Sequence, residues 1–368
     1  MKLRETVSWL MGSLQMNLFP RLEQCWEMSL TEKDRQLVRI LEIVKVERYV
    51  SRKASTQWLG RKRLEREAIA RAFVAKAVYN QRYTRTTIEA LKSTPNLSRI
   101  CGFEKTSDVP SEATFSRVFE ELAQGQLCEK VHEALVEECM KPQLVGHISR
   151  DSTAIRGREK PIRKPKKEKT AAYKRGRPRK GEMRDAKEQK RLDRQCGQSA
   201  REALHELPAH CDVGTKKNSK GYKESWIGYK LHVDVNDCGL PISAVLTAAS
   251  LHDSQAAIPL MKMTSERVTY LYDLMDAAYD ARQIWEVSRS LGHVPIIDKN
   301  PRGKDVIPMA PHEAARYKQR TASERFNSRL KEDFGGRNVM VRGAQKVRLH
   351  LMFGVIALFA DQLIKLIN

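Results

Sequence analysis

The spacing of apolar side chains changes once along the chain, at about residue 144. Before that point apolar residues recur every three to four positions, as in residues 65–81, which predicts amphipathic helices. After it, residues 227–235 alternate between apolar and polar. A turn sequence and a second apolar run follow, which predicts a β-hairpin. We therefore expect an all-α domain over residues 1–143 and an α/β domain over residues 144–340.

The elements after residue 144 follow a mixed order. Residues 144–151 predict a strand that ends in a carboxylate. After the hairpin, the pattern predicts helix 254–264, strand 268–272, helix 278–291, strand 293–297 and a helix around residues 320–334. Antiparallel strands followed by alternating helices and strands indicate a mixed α/β layer.

The last part of the chain is the most apolar. Its apolar run over residues 349–367 also contains His350, Asp361 and Lys365. Polar side chains at those positions do not suit a bilayer core. We therefore expect a packing or oligomer-forming helix over residues 341–368 and no membrane span.

The charge of the chain indicates what kind of molecule it binds. The 368 residues carry 67 Lys and Arg against 45 Asp and Glu, a formal net charge of +22. Residues 156–195 hold 18 of the basic residues, six acidic residues and few large apolar side chains. A segment of this composition cannot build a core, so we expect a basic, flexible insertion over residues 156–225. The excess charge points to a polyanion, either nucleic acid or an anionic membrane surface.

One stretch inside this insertion has a composition suited to DNA. Its residues are Arg175, Gly176, Arg177, Pro178, Arg179 and Lys180. Gly and Pro keep such a strip narrow and extended, so it resembles an AT-hook whose arginines enter an A·T minor groove. A plain electrostatic tether to phosphates explains the same residues equally well, and both alternatives imply DNA.

The cysteine pattern indicates the cellular compartment, and the absence of a glycine-rich phosphate loop bears on the choice of cofactor. Seven cysteines occur without a Cys-x-x-Cys pair, which indicates reduced thiols in a cytoplasmic protein. Cys196, His205, His210 and Cys211 are zinc-ligand residue types, but their spacing fits no common zinc module. No glycine-rich loop of the Walker or Rossmann kind is present, so we expect no nucleotide cofactor.

Residues 317–331 carry the most informative spacing. On a helix that turns 100° per residue, Tyr317, Arg320, Glu324 and Lys331 share an arc of about 60°. Four apolar residues beginning with Ala322 fall on the opposite, core-facing side. A carboxylate flanked by cations suits metal-assisted phosphate chemistry, although ordinary ion pairs on a solvated helix give the same spacing.

Two aspartates extend this candidate site. Asp151 ends a predicted strand and Asp276 follows another, and strand ends are where sites in α/β sheets are built. Together with Glu324 they form a set of oxygen ligands that suits two Mg²⁺ ions, with Mn²⁺ as an alternative. Asp273 and Asp280 lie close in sequence and are rivals for the second aspartate.

The spacing Tyr-x2-Arg-x3-Glu-x6-Lys at residues 317–331 resembles the signature of bacterial insertion-sequence DDE transposases. Segments that resemble other motifs of that family occur, in family order, at residues 102–117, 151–153, 226–232, 251–254 and 276–280. Ala278 stands where the family commonly has Gly. The gap of 48 residues between Asp276 and Glu324 is too short for the large β-rich insertion that some members carry there.

This resemblance implies an RNase H-like catalytic domain with Asp151, Asp276 and Glu324 as the metal-binding triad. Arg320 and Lys331 would contact DNA phosphate near the cut, and Tyr317 would support that contact. His232 and His252 would lie near the site, where both a packing role and a catalytic role remain open.

The implied activity is that of a transposase, which cuts DNA at the ends of its element and joins those ends to target DNA. Pairing two ends requires at least a dimer, so we expect a homodimer. A DNA-binding protein with an inert triad and a Mg²⁺-dependent nuclease without strand transfer remain alternatives. The helical domain would contain a helix-turn-helix that binds the ends, or would serve dimerisation and packing.

Overall fold

The computed structural model of the chain describes residues 30–51, 66–141, 143–162, 189–217, 221–300 and 308–367. The helices before the sheet are α1 (Glu32–Val44), α2 (Arg66–Val78), α3 (Thr84–Ser93), α4 (Pro95–Cys101), α5 (Glu112–Gln124) and α6 (Leu127–Met140). The sheet and its first helices follow as β1 (Leu144–Arg156), α7 (Arg191–Gly197), α8 (Ala200–His205), β2 (Asp212–Lys217), β3 (Lys223–Asn236), β4 (Pro241–Ala248) and α9 (Ser254–Arg267). The chain continues through β5 (Thr269–Met275), α10 (Arg282–Ser290), β6 (Val294–Ile297), α11 (Pro311–Tyr317), α12 (Thr321–Glu332) and α13 (Ala344–Ile367).

The part of the chain before β1 is helical where it is described, as the apolar spacing predicts. Thr31 and Asp34 form a reciprocal capping box that satisfies free N–H groups at the start of α1. Pro95 begins α4, and Gly102 ends it in the left-handed conformation that glycine adopts without strain. α2 is buried around its whole circumference, because α1, α3, α4, α5 and α13 surround it.

The C-terminal helix α13 joins the helical region to the sheet. It packs against α1, α2, α5 and α6 on one side and against α12 and β4 on the other. By length and composition it is the one helix of the described residues that could cross a bilayer, but 72% of its most apolar window is buried inside the protein. Buried side chains of the helices, the sheet and α13 therefore form one continuous hydrophobic cluster.

The sheet has six strands in the order β2-β3-β1-β5-β6, with β4 also paired to β3. The pairs that β3 makes with β1, β2 and β4 are antiparallel, whereas β5 pairs in parallel with β1 and with β6. α9 and α10 pack against strands of this sheet, and α12 packs on β1 and β3. The protein is therefore a mixed α/β structure with a helical N-terminal region and a central sheet.

β1 continues past the residue at which the sequence predicts its end. Asp151 lies inside the strand, and residues Ser152 to Arg156 pair with His232 to Gly228 of β3. A Cβ on Gly228 would lie 2.1 Å from the carbonyl oxygen of Ile155, and its φ of +149° is rare for any other residue. The absent side chain of Gly228 thus allows the two long strands to stay paired to the end.

Part of the segment expected to form a flexible insertion is folded. Residues 191–205 form α7 and α8, which pack on α9, and β2 extends the edge of the sheet. Gln195 is fully buried, and the ammonium of Lys262 donates to the carbonyl oxygens of Gln195 (2.9 Å) and Cys196 (3.1 Å). Scattered apolar residues such as Ala203 are buried against α9, so high net charge does not mark the full extent of an unstructured segment.

Candidate active site

Strand register brings Asp151 and Asp276 together. In the parallel pair of β1 and β5, Ile148 is opposite Asp273 and Ser149 is opposite Leu274, an offset of 125 residues in each case. Asp276 is one residue past the end of β5 and is also 125 residues after Asp151. If the register is continued, the two aspartates are therefore neighbours on strands about 4.8 Å apart.

Both carboxyl groups are in an environment that disfavours negative charge. Burial raises the pKa of Asp151 to about 6, and the nearby charges of Asp276 and Asp253 act in the same direction. Burial also raises the pKa of Asp276. Hydrogen bonds offset part of this cost, since Asn327 donates to Asp151 Oδ2 (3.0 Å) and the N–H of Ala278 donates to Asp276 Oδ1 (2.9 Å). A neighbouring arginine also lowers both pKa values, but burial outweighs it.

α12 lies over the same face of the sheet as Asp151. Ser149, two residues before Asp151 and hence on the same face of β1, donates to the carbonyl oxygen of Arg320 (2.7 Å). Its hydroxyl is also 3.0 Å from that of Ser323. These contacts anchor the start of α12 to the strand that carries Asp151.

The four signature residues do not lie on one uninterrupted helix. α11 ends at Tyr317, a 3₁₀ turn spans Lys318–Arg320, and α12 begins at Thr321. The apolar side of α12 is nevertheless buried as predicted, from Ala322 to Phe334.

Arg320 lies among the carboxylates. Burial lowers its pKa, but the charges of Tyr317, Glu324, Asp151 and Asp276 outweigh this and raise it. Arg320 forms an ion pair with Glu324, whose side chain is 51% exposed, and its guanidinium carbon is 5.8 Å from the centre of the Tyr317 ring. Burial raises the pKa of Tyr317 to about 12, an effect to which Asp276 and Glu324 add.

Lys331 is the second cation of this site. Burial lowers the pKa of its ammonium group, and the neighbouring charges of Lys216 and Arg337 add to that effect. Asp151 is close enough to act in the opposite direction. The structure therefore places Tyr317, Arg320 and Lys331 within electrostatic range of at least one of the two aspartates.

A further carboxylate, Asp253, belongs to the same site and has no role in the sequence prediction. It accepts a hydrogen bond from Lys230 Nζ at 2.8 Å and another from the hydroxyl of Ser152. Burial raises its pKa, but His232, Lys230 and these hydrogen bonds hold the pKa below its ordinary value. The motif at residues 251–254 marks this stretch as part of the family pattern, but nothing in the sequence shows that Asp253 lies close to Asp151.

The two rival aspartates are committed to other contacts. Asp273 is fully buried, pairs with Arg150 at 3.4 Å and accepts hydrogen bonds from the hydroxyls of Ser288 (2.6 Å) and Tyr270 (3.1 Å). Asp280 accepts the indole N–H of Trp285 at 3.1 Å. These contacts favour Asp276 as the second aspartate of the site.

The two histidines differ in their surroundings. His232 is fully buried 2.9 Å from the Thr247 hydroxyl, and burial lowers its pKa to about 4. His252 lies 2.8 Å from the Ser254 hydroxyl, at the start of α9. His232 is close enough to Asp253 to contribute to the lowered pKa of that carboxylate.

Two further sequence predictions concern the segment that resembles an AT-hook and the metal site. Residues 175–180, which resemble an AT-hook, lie outside the described residues. Within the described residues, no three His, Cys, Asp or Glu side chains form a group that could hold a metal ion. The triad carboxylates are thus not gathered around one point while Glu324 is paired with Arg320.

Comparison with protein families identifies the class of the protein. A family model described as Transposase DDE domain matches residues 146–360, more than half of the chain. A second model, described as Transposase domain (DUF772), matches residues 24–121. No curated protein and no solved structure matched the chain. The chain belongs to the DDE transposase family, in particular to the insertion-sequence DDE transposases, and this class acts on DNA.

Proposed function

We propose that the chain cuts DNA at the ends of its element and joins those ends to target DNA. The observation that carries the proposal is the alignment of Asp151 and Asp276 beside Arg320, on the domain that matches the DDE family. The mixed sheet, with antiparallel strands followed by two parallel ones, supports an RNase H-like fold for that domain. Because two ends must be joined, the acting species is at least a homodimer that works on DNA in the cytoplasm.

The donor chemistry of the site fits divalent metal ions. Asp151, Asp276 and Glu324 provide carboxylate oxygens, the ligands that Mg²⁺ and Mn²⁺ prefer. Burial raises the pKa of both aspartates in spite of the nearby Arg320, and a bound dication would stabilise their charged forms. When bound, two ions would polarise the phosphate and activate the attacking oxygen.

The remaining roles fall to the side chains of the chain itself. Glu324 must leave Arg320 and turn towards the aspartates, which its half-exposed position permits. The guanidinium of Arg320 then becomes free to donate two hydrogen bonds to phosphate oxygens. Lys331, close to Asp151, places a second positive charge near the same phosphate.

The reaction would proceed in two displacements at phosphorus. In the first, a water oxygen bonds to phosphorus, the bond to the 3′ oxygen breaks, and that oxygen leaves as a 3′-OH after taking up a proton. In the second, the 3′-OH attacks a phosphate of the target in line and displaces the target's own 3′ oxygen. Positioning by Arg320 and Lys331 serves both steps, since each has the same charge distribution.

The test uses a plasmid that carries the open reading frame with its native flanking DNA. Asp151→Asn, Asp276→Asn and Glu324→Gln should each abolish strand cleavage while DNA binding is retained. Arg325→Gln, on the exposed side of α12, is the matched control and should still cut. Cleavage that survives in all three triad variants would instead favour a DNA-binding protein with an inert triad.

A pre-cut donor end with a free 3′-OH separates the transposase from a nuclease. Joined product in the presence of Mg²⁺ is expected if the site performs strand transfer. Cleavage without any joined product would leave a Mg²⁺-dependent nuclease as the function.

A further inference from the structure

A basic cleft lies between the helical region and the segment that follows α12. Its volume is about 780 Å³, the size range of sites that hold a nucleotide-sized group. Residues of α2, α3 and α5 line one wall, and the segment from Gly335 to the start of α13 lines the other. Arg158, two residues after β1, also lines it.

The charge of this basic cleft is strongly unbalanced. Among the described residues that line it, six have cationic side chains, namely Lys76, Arg82, Arg85, Arg158, Arg342 and Lys346, and two have carboxylates, Glu89 and Glu112. Glu89 pairs with Arg85 at 3.1 Å, and Lys346 pairs with Glu120 at 2.6 Å. Within the described residues, Arg158 and Arg342 have no hydrogen-bond or ion-pair partner. Several cations of the lining are therefore free to meet an anion.

Lys76 is the strongest sign that an anion belongs in the basic cleft. Its residue is only 7% exposed, yet the part of the chain that the structure describes offers its ammonium no hydrogen-bond or ion-pair partner. Burial, with no opposing charge, lowers its pKa to about 8. A buried charge without a partner destabilises the fold unless another group compensates it.

The surroundings of Lys76 make any such anion contact strong. Phe73, one turn earlier on α2, packs against Phe119 and Phe353 with ring centres 4.8 Å and 5.6 Å away. The partly buried His350 also lines the cleft, and Lys76 is near enough to lower its pKa further after burial has done so. An apolar floor of low dielectric constant strengthens an ionic hydrogen bond made above it.

The basic cleft is connected to the candidate active site by two elements. Arg158 follows the strand that carries Asp151, and the cleft wall at Gly335 follows the helix that carries Glu324. The five residue-to-residue steps from Asp151 to Arg156 span about 17 Å of strand. The cleft thus begins beyond that stretch of β1, away from the triad.

We propose that the basic cleft binds backbone phosphates of the DNA duplex on one side of the bond that is cut. Lys76, Arg158 and Arg342 are the residues that make these contacts. The site rests on the proposed function for its partner, but it is a binding site separate from the triad. Its occupant is DNA because the same chain acts on DNA and because the free charges extend from the elements that carry Asp151 and Glu324.

The first test compares DNA affinity with stability in Lys76→Met. The probe is a fluorescein-labelled duplex of arbitrary sequence, and the protein is the full chain. The affinity should fall about tenfold at low salt, the effect of losing one charge-assisted contact. The melting temperature without DNA should rise, because a buried unpaired charge is replaced by an apolar side chain of similar length. Unchanged DNA affinity would overturn the proposal, as would a fall in affinity that merely accompanies a lower melting temperature.

The second test measures the salt dependence of binding. Lys76→Met combined with Arg158→Gln and Arg342→Gln should reduce the slope of log affinity against log salt by about 2 to 3. The control combines Arg201→Gln, Arg282→Gln and Arg289→Gln, which removes the same charge from exposed positions on α8 and α10. Equal slopes for the two triple variants would refute a phosphate site in the cleft.

The outcome of these binding tests does not depend on whether the proposed function is correct. Triad variants such as Asp276→Asn report on cleavage, whereas the cleft variants report on binding to a duplex that need not be cut. Loss of cleavage activity in every preparation, together with the expected change in salt slope, would reject the proposed function and keep the cleft. Normal cleavage with an unchanged slope would do the reverse.

Discussion

Asp151→Asn should stabilise the protein in the absence of metal while abolishing cleavage. Burial raises the pKa of Asp151 from its ordinary value of 3.8 to about 6. Each pKa unit corresponds to 1.36 kcal/mol, so the charged carboxylate costs the folded state about 3 kcal/mol at neutral pH. Asparagine has nearly the same shape and no charge, and its amide oxygen can still accept the hydrogen bond from Asn327.

The pH dependence of this effect follows from the direction of the pKa change. Because the folded protein binds the proton of Asp151 more tightly than the unfolded chain, wild-type stability falls as pH rises from about 4 to 6. Above that window the full cost applies. The stability advantage of Asp151→Asn should therefore be about 3 kcal/mol near pH 7.5 and roughly half of that near pH 5.

Denaturant unfolding in a chelator at several pH values measures this difference. Asp333→Asn is the matched control, because it removes one carboxylate whose side chain is 55% exposed. An excess of Mg²⁺ should stabilise the wild type and have little effect on Asp151→Asn. A variant that is less stable than the wild type at neutral pH, or an advantage that does not change with pH, would refute the argument that burial of charge controls this carboxylate.

Three further predictions concern the scaffold and the site. Arg150→Met should lower the free energy of unfolding by about 3–5 kcal/mol, because it leaves two buried aspartates unpaired, and chemical denaturation measures this loss. Gly228→Ala should lower it by about 3 kcal/mol or more through the clash with the β1 backbone, whereas Gly197→Ala, with open space around it, should change it by less than about 0.5 kcal/mol. Lys331→Gln should slow cleavage roughly 10- to 100-fold, with Arg325→Gln as a nearly unchanged control in the same plasmid assay.

The sequence predicts the elements of the sheet well and its strand ends less well. The hairpin of β3 and β4, helix α9 and strands β5 and β6 appear where the apolar pattern places them. The predicted end of β1 at Asp151 is wrong, because the polar residues Ser152 and Thr153 resemble a loop when the sequence is considered alone. They belong to the strand because β3 provides backbone hydrogen-bond partners on one side and because Gly228 has no side chain that would clash with the β1 backbone. Such long-range pairing has no local signal.

The same limit applies to charged residues that are buried. Residues 189–217 look like part of a solvated basic segment, yet carbonyl oxygens of α7 accept hydrogen bonds from Lys262. Asp253 looks like an ordinary residue at the start of α9 until Lys230 and Ser152 are seen to orient it. A charged side chain stabilises the structure only when the fold places a distant residue close enough to pair with it.

The alignment of the two aspartates shows where the site's geometry originates. Asp151 and Asp276 are neighbours because β1 and β5 pair in parallel with a fixed offset. A register shift of one residue would turn one aspartate to the other face of the sheet, where Arg150 and Asp273 are buried. The buried ion pair between those two residues opposes such a shift, since a shift would separate two charges that lie fully inside the protein. The ion pair on one face of the sheet thus fixes the register that keeps Asp151 and Asp276 side by side on the other face. The number of residues between the two aspartates in the sequence does not affect this arrangement.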